Sequence, residues 1–329
     1  MTTDTNQYWR PGADLSVLQT RAELLARTRA FFKKRKVLEV ETPVLSAAGN
    51  PDCYIESLTS QYNGPGGKKK LYLQTSPEFA MKRLLAAGSG SIYQICKSFR
   101  DGELGRMHNP EFTMLEWYRQ GYDYHQLMQE IGDLLVELGL LSGGEPIRKL
   151  TYQELFEKYA GLDPFRSEPE ELSTYMASRN ITFHGSVTGL NRDTLLDLIQ
   201  THIIEPALID VPFLFIHDYP SSRASLARIR AGDPPVAERF ELYGQGIELA
   251  NGFTELTDGA EQSRRFMDDI HKRDRNGQVE VTPDQNLIDA LSHGMCECAG
   301  VAMGFDRLVM IAARKSEINE VLAFSFNRA

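Results

Sequence analysis

Residues 92–119 read IYQICKSFRDGELGRMHNPEFTMLEWYR, and both ends of this stretch are apolar and β-favouring, free of proline and glycine. The middle is polar, carries glycine, and closes on Pro110. Residues 92–99 and 111–119 are therefore expected to form one long antiparallel hairpin across a polar loop. In its second strand, alternation places Phe112, Met114, Glu116 and Tyr118 on one face and Thr113, Leu115 and Trp117 on the other. The second face suits a core. The first sets a ring, a thioether, a carboxylate and a phenol in line, which suits a ligand platform, with Arg100, His108 and Asn109 beside it.

Towards the N-terminus, Val17, Arg21, Leu24, Leu25, Thr28, Phe31 and Phe32 recur at helical spacing. Arg27, Arg29, Lys33, Lys34, Arg35 and Lys36 at the end of that helix read as a solvated basic face that complements the helix dipole. Residues 37–41 alternate and stop at Pro43, as an edge strand does. Residues 63–70 suggest a hairpin turn, 71–73 a strand, and Ser76-Pro77 the start of a helix ending near Ala87. Beyond the first hairpin, residues 121–237 read mostly as helices, 153–159 and 194–204 among them. A second hairpin, 240–243 with 247–251, turns on Gly244-Gln245-Gly246. A two-residue turn there pairs Gly244 with Ile247, Tyr243 with Glu248 and Glu241 with Ala250. Residues 300–304 lead into an apolar helix at 305–313. Strands grouped in hairpins, without a strand-helix-strand rhythm, predict an α+β fold with an antiparallel sheet flanked by helices. No repeat or linker divides residues 1–329, so a single domain is expected.

The 329 residues are 42% hydrophobic and 25% charged, with 36 basic against 45 acidic side chains and a net charge of -9. That balance excludes disorder and disfavours a dedicated nucleic-acid binder. The apolar runs at 211–216 and 308–313 fall short of the roughly 18 residues of a membrane span. Residues 1–12 are polar, which points to a cytoplasmic protein. Cys53, Cys96, Cys296 and Cys298 lack zinc spacing and read as reduced thiols, and Asn180-Ile181-Thr182 as a chance glycosylation pattern. Both glycine-rich phosphate-binding patterns are missing, so a nucleotide would be bound in another way.

The predicted second hairpin sets Glu241 and Glu248 on one face, where a divalent cation bridging ATP phosphates would relieve their repulsion. Phe99-Arg100, residues 108–112 and residues 300–307 resemble the second and third signature motifs of class II aminoacyl-tRNA synthetases, and residues 37–43 the first. The series Glu241, Glu248, Asn251, Glu255 is most similar to the lysyl branch. With the first helix beginning near residue 15, no room is left for that branch's N-terminal anticodon-binding barrel. Together with Ser76, where the synthetases carry a smaller residue, this resembles the elongation factor P (R)-β-lysine ligase family.

The resemblance implies an ATP-dependent, AMP-forming ligase that uses Mg²⁺, takes (R)-β-lysine or lysine, and transfers it to a lysine of elongation factor P. It implies that Arg100 holds the α-phosphate and the substrate carboxylate, and that Phe112 and Arg307 sandwich the adenine, making Arg100 and Arg307 the catalytic pair. Glu103, His108, Asn109, Glu248, Leu249 and Gly304 complete the ATP site, and Glu241 and Glu248 hold the metal. Ser76, Pro77, Glu78, Glu116, Tyr118, Asn251 and Glu255 line the diamino-acid pocket. The sequence departs from the family pattern at Asp101-Gly102-Glu103, which displaces the adenine-contacting glutamate by one residue. The resemblance also implies a homodimer through the first motif, with Phe31, Phe32, Val37 and Val40 supplying apolar area. Stable tRNA binding is not expected, and Lys68, Lys69, Lys70 and Arg106 are candidates for docking a protein acceptor. The rivals are a free-standing lysyl-tRNA synthetase-like enzyme and a non-catalytic amino-acid or adenylate sensor.

Overall fold

In the computed structural model, which describes residues 9–144, 146–181 and 190–329, the N-terminal stripe winds into α1 (Leu15–Lys34). Val17, Leu24, Thr28, Phe31 and Phe32 are its buried face. The basic end of α1 is paired rather than merely solvated: Arg35 lies 3.6 Å over the Phe31 ring, and Lys34 Nζ donates to Glu137 at 3.0 Å. Exposed pairs of this kind add little stability. The alternating run at 37–41 is strand only over β1 (Leu38–Glu39), followed by β2 (Leu45–Ser46), β3 (Thr59–Tyr62) and β4 (Lys69–Leu73). The last three form a small antiparallel sheet in the order β2-β4-β3. The helix α2 (Glu78–Ala86) starts after Pro77, with Ser76 Oγ accepting the Glu78 N–H at 3.0 Å.

The decisive hairpin is present as β5 (Ile92–Phe99) and β6 (Glu111–Gln120), in register from Ile92 opposite Tyr118 to Phe99 opposite Glu111. Leu115 and Trp117 are fully buried, and Phe32 packs between Tyr93 at 4.4 Å and Trp117 at 5.4 Å. After α3 (Tyr124–Glu137), the chain passes into a second compact unit, Gly144–Glu255, and returns to the first at Leu256.

The second unit holds β7 (Arg148–Thr151), α4 (Tyr152–Ala160), α5 (Pro169–Ser178), α6 (Arg192–Ile199), the π turn Gln200–Ile204 and α7 (Glu205–Ala207). It continues through β8 (Leu214–Pro220), β9 (Ile229–Arg230), β10 (Val236–Gly244) and β11 (Ile247–Thr254). The helices expected between 121 and 237 are there, but β7 and β8 were not legible. Leu214, Phe215 and Ile216 are all buried, and a short run buried on both sides shows no alternation. Strands follow the order β11-β10-β8-β7, with β9 beside β10 and β7 parallel to β8.

The first unit closes with α8 (Gly259–Arg275), α9 (Gln285–His293), β12 (Cys298–Gly304) and α10 (Phe305–Ala313). Its main sheet runs β1-β5-β6-β12, antiparallel except for the parallel edge of β1 on β5. The sequence had not shown these parallel edges. All four cysteines are free thiols. Thr182 of the glycosylation pattern and residues 1–8 of the polar N-terminus lie outside the described residues. Among the described residues no helix is long and apolar enough to cross a membrane.

Candidate active site

The face of β6 that carries Phe112, Met114, Glu116 and Tyr118 is more buried than alternation alone suggests: Met114, Glu116 and Tyr118 are each under 5% exposed. Tyr118 donates to Glu116 Oε1 at 2.6 Å and Ser76 Oγ to Glu116 Oε2 at 2.8 Å, so the end of α2 and the middle of β6 grip one carboxylate. Burial, then the neighbouring Glu78, push Glu116 up to about 8, against the pull of Tyr118, Ser76 and Lys82. Sequence reading missed Lys82. It is fully buried, with Nζ 2.8 Å from Glu78 Oε1 one helical turn away. A lysine between Met81 and Leu85 on the buried face of α2 was the available signal.

At the other end of β6, Arg100 lies 5.1 Å over the Phe112 ring and 3.5 Å from Glu103. The loop is clasped by Arg100 N–H to Pro110 O at 2.9 Å, so the displaced glutamate faces Arg100. Arg307, in the first turn of α10, donates through Nη2 to His108 Nε2 at 2.7 Å. His108 is pushed below its ordinary value by partial desolvation, then by Arg307 and Arg100, against Glu103, which favours the neutral ring that accepts this bond. Asn109 is buried and committed: Nδ2 donates to Glu111 O at 2.6 Å and Oδ1 accepts from Phe326 N at 2.9 Å. Gly304 ends β12 opposite Met114. Ser76, Pro77, Glu78, Glu116 and Tyr118 thus gather at one place, and Arg100, Glu103, His108, Phe112 and Arg307 at another, all within the first unit.

In the second unit, the β10–β11 turn pairs Gly244 with Ile247 and Tyr243 with Glu248, as expected. Gln245 and Gly246 both have positive φ, 52° and 76°, the requirement of a two-residue turn matched to strand twist. The expected pairing of Glu241 with Ala250 is wrong. A bulge leaves Leu249 unpaired, so Leu242 meets Ala250 and Glu241 meets Asn251. Regular pairing would set Glu248 and Asn251 on opposite faces, and the bulge puts both on the face of Glu241. Leu249 itself is buried.

Arg239, also missed, organises this face. It donates to Glu241 Oε1 at 2.6 Å, Asn251 Oδ1 at 3.0 Å and the Arg223 carbonyl at 2.9 Å, while Tyr243 donates to Glu241 Oε2 at 3.1 Å. Its position two residues before Glu241 was the available sign. Glu255 is 1% exposed, just past β11, in a bridge with Ala227.

An antiparallel sheet bearing an arginine over a phenylalanine, a second arginine at the start of the helix after β12, and, on the phenylalanine's strand face, a buried carboxylate held by a serine and a tyrosine defines a class II synthetase catalytic core. Residues 9–328 match the class II tRNA synthetases (D, K and N), and the chain belongs to that family. It is 49% identical over 327 residues to the elongation factor P–(R)-β-lysine ligase of Vibrio cholerae, covering 99% of this chain and 100% of that one. The proteins of the same name from Pseudoalteromonas translucida and Salmonella dublin are 48% and 46% identical over 323 residues, 98% of both chains in each case.

Proposed function

We propose that this protein is an ATP-dependent, AMP-forming ligase that activates (R)-β-lysine, or lysine, and transfers it to a lysine side chain of elongation factor P. The observation that carries the reading is the layout of β6. Phe112, with Arg100 over it, shares one strand face with Glu116 and Tyr118. Four residues of strand span about 13 Å, the reach of an adenylate from its base to the amino-acid ammonium.

Phe112 and Arg307 enclose the adenine, and Gly304 lets the nucleoside approach the main chain. Arg100 forks onto the α-phosphate and the substrate carboxylate, with Glu103 orienting it. His108 meets phosphate oxygens, Asn109 shapes the loop through its own bonds, and Leu249 contributes backbone. Ser76, Pro77, Glu78, Glu116 and Tyr118 receive one ammonium of the amino acid, and Asn251 and Glu255 serve the other, since a buried cation needs paired carboxylates.

Glu241 and Glu248 share a face of adjacent strands, and each Glu241 oxygen accepts one bond while keeping a lone pair, so the pair fits a hard cation. Among the described residues no cluster of three or more such side chains occurs, so phosphate oxygens would complete the shell. Mg²⁺ held there would neutralise phosphate charge. The substrate carboxylate oxygen forms a bond to the α-phosphorus as the bond to pyrophosphate breaks, and the acceptor amine then attacks the acyl carbon as AMP leaves. No protein nucleophile is required, because positioning and charge stabilisation by Arg100 and Arg307 suffice.

The exposed Lys68, Lys69, Lys70 and Arg106 are the basic groups offered for acceptor docking. With a net charge of -9, the chain has little means of holding tRNA. The test is ATP–pyrophosphate exchange across an amino-acid panel, followed by mass analysis of elongation factor P and total tRNA incubated with enzyme, ATP and β-lysine. Exchange with β-lysine and one β-lysyl unit gained on the protein are expected. Efficient tRNA charging without protein modification, or no exchange, overturns the reading in favour of a synthetase or a sensor.

A further inference from the structure

Asp306 is 2% exposed and belongs to neither cluster described above. It is the second residue of α10, two past Gly304, whose ladder partner is Met114. Its Oδ2 accepts the backbone N–H of Thr113 at 2.7 Å, in the place the next β12 residue would occupy. Its Oδ1 lies 2.5 Å from Nη2 of Arg21 on α1, which also donates to Thr113 Oγ1 at 2.7 Å and sits 5.7 Å over the Phe305 ring.

Thr113 follows Phe112, and Asp306 precedes Arg307. One buried carboxylate therefore ties together the two backbones that carry the plates of the adenine slot. We propose that Asp306, charge-paired with Arg21, is a positioning residue that fixes the gap between Phe112 and Arg307 and so sets affinity for the purine base. This rests on the reading of those two residues as the base-stacking pair.

Stacking contacts lose a quarter to a half of their attraction when the gap opens by about 0.5–1 Å, so a small shift of α10 against β6 is felt by the base first. Glu116, in the middle of β6 and held by Ser76 and Tyr118, does not depend on that junction. Nor does the Arg100 backbone, clasped to Pro110. Removing Asp306 leaves a strand N–H and a guanidinium without their partner, so stability falls as well, and the test must separate the two effects.

The experiment measures binding of adenosine, ATP, inorganic tripolyphosphate and lysine by calorimetry. The variants are Asp306→Ala, Asp306→Asn, Arg21→Met and, as control, Phe112→Ala, each with its melting temperature. Asp306→Asn keeps an oxygen for the Thr113 N–H and serves if the alanine variant does not fold. Expected are a tenfold or greater loss for adenosine and ATP in Asp306→Ala, a smaller loss in Asp306→Asn, and a matching loss in Arg21→Met, which touches no substrate. Tripolyphosphate and lysine affinities should stay within twofold. Equal losses for all four ligands, or unchanged adenosine binding while Phe112→Ala weakens it, overturn the proposal and leave the nucleotide site standing. Unchanged adenosine binding in Phe112→Ala overturns the base-stacking reading itself.

Discussion

Glu116 shows how one residue's surroundings decide its chemistry. Its folded value of about 8 lies above the ordinary 4.5, so its contribution to stability is complete below the ordinary value and is lost as pH climbs towards 8. Ligand-free Glu116→Gln should therefore lose less melting temperature between about pH 5 and pH 8 than the parent. An ammonium placed beside the carboxylate favours its ionised form, so lysine binding near neutral pH should release a proton. Calorimetry in two buffers of different ionisation enthalpy should show that release in the parent and not in Glu116→Gln. Glu255 supports a second expectation: Glu255→Gln keeps shape and deletes charge. Losing one charged hydrogen bond costs about 1.5–3 kcal/mol, roughly 10- to 150-fold in amino-acid affinity. Unchanged KM for lysine and β-lysine would remove Glu255 from the pocket.

At the scale of elements, the β10–β11 bulge is the device that brings Glu248 and Asn251 to one face. Inserting one residue between Leu242 and Tyr243, opposite Leu249, restores one-to-one pairing and turns Glu248 away from Asn251 and Glu241. The hairpin has its turn in Gln245 and Gly246, so the fold should survive while pyrophosphate exchange falls at least a hundredfold. Retained exchange in a folded insertion variant would show that Glu248 is dispensable. The same kind of local geometry governs the start of α2, where Ser76, two residues before the helix, and Glu78, its first residue, lie beside the Glu116 carboxylate while Lys82 pairs with Glu78.

Across the whole molecule, a homodimer through the first signature motif needs apolar area that is not already spent on the core. Phe31, Phe32 and Val37 are buried inside the first unit and cannot provide it, which corrects the sequence expectation. Val40 is half-buried, and Leu38 in the motif with Val44 and Leu45 just after it, between 39% and 56% exposed, are the apolar groups left at the surface. If the dimer forms there, Leu45→Glu should shift sedimentation at micromolar concentration from dimer to monomer. A parent protein that sediments only as monomer contradicts the dimer outright.

Alternation is local, so the sequence by itself determined the β5–β6 hairpin, the two faces of β6, the extent of α1 and the start of α10 at Phe305. The resemblance of the signature motifs marked Arg100, Phe112, Glu241, Glu248 and Arg307. Burial and long-range pairing are not local, and the tertiary structure alone decided them. It turned 214–216 into an interior strand, inserted Leu249 as a bulge, and divided the chain into two units. It also gave Lys82, Arg239 and Asp306 their partners. A charged side chain inside an apolar pattern, such as Arg21 on the stripe of α1, shows its purpose only when a residue 285 positions away, Asp306, folds against it. The desolvation that makes such a pairing necessary exists only once the core has closed.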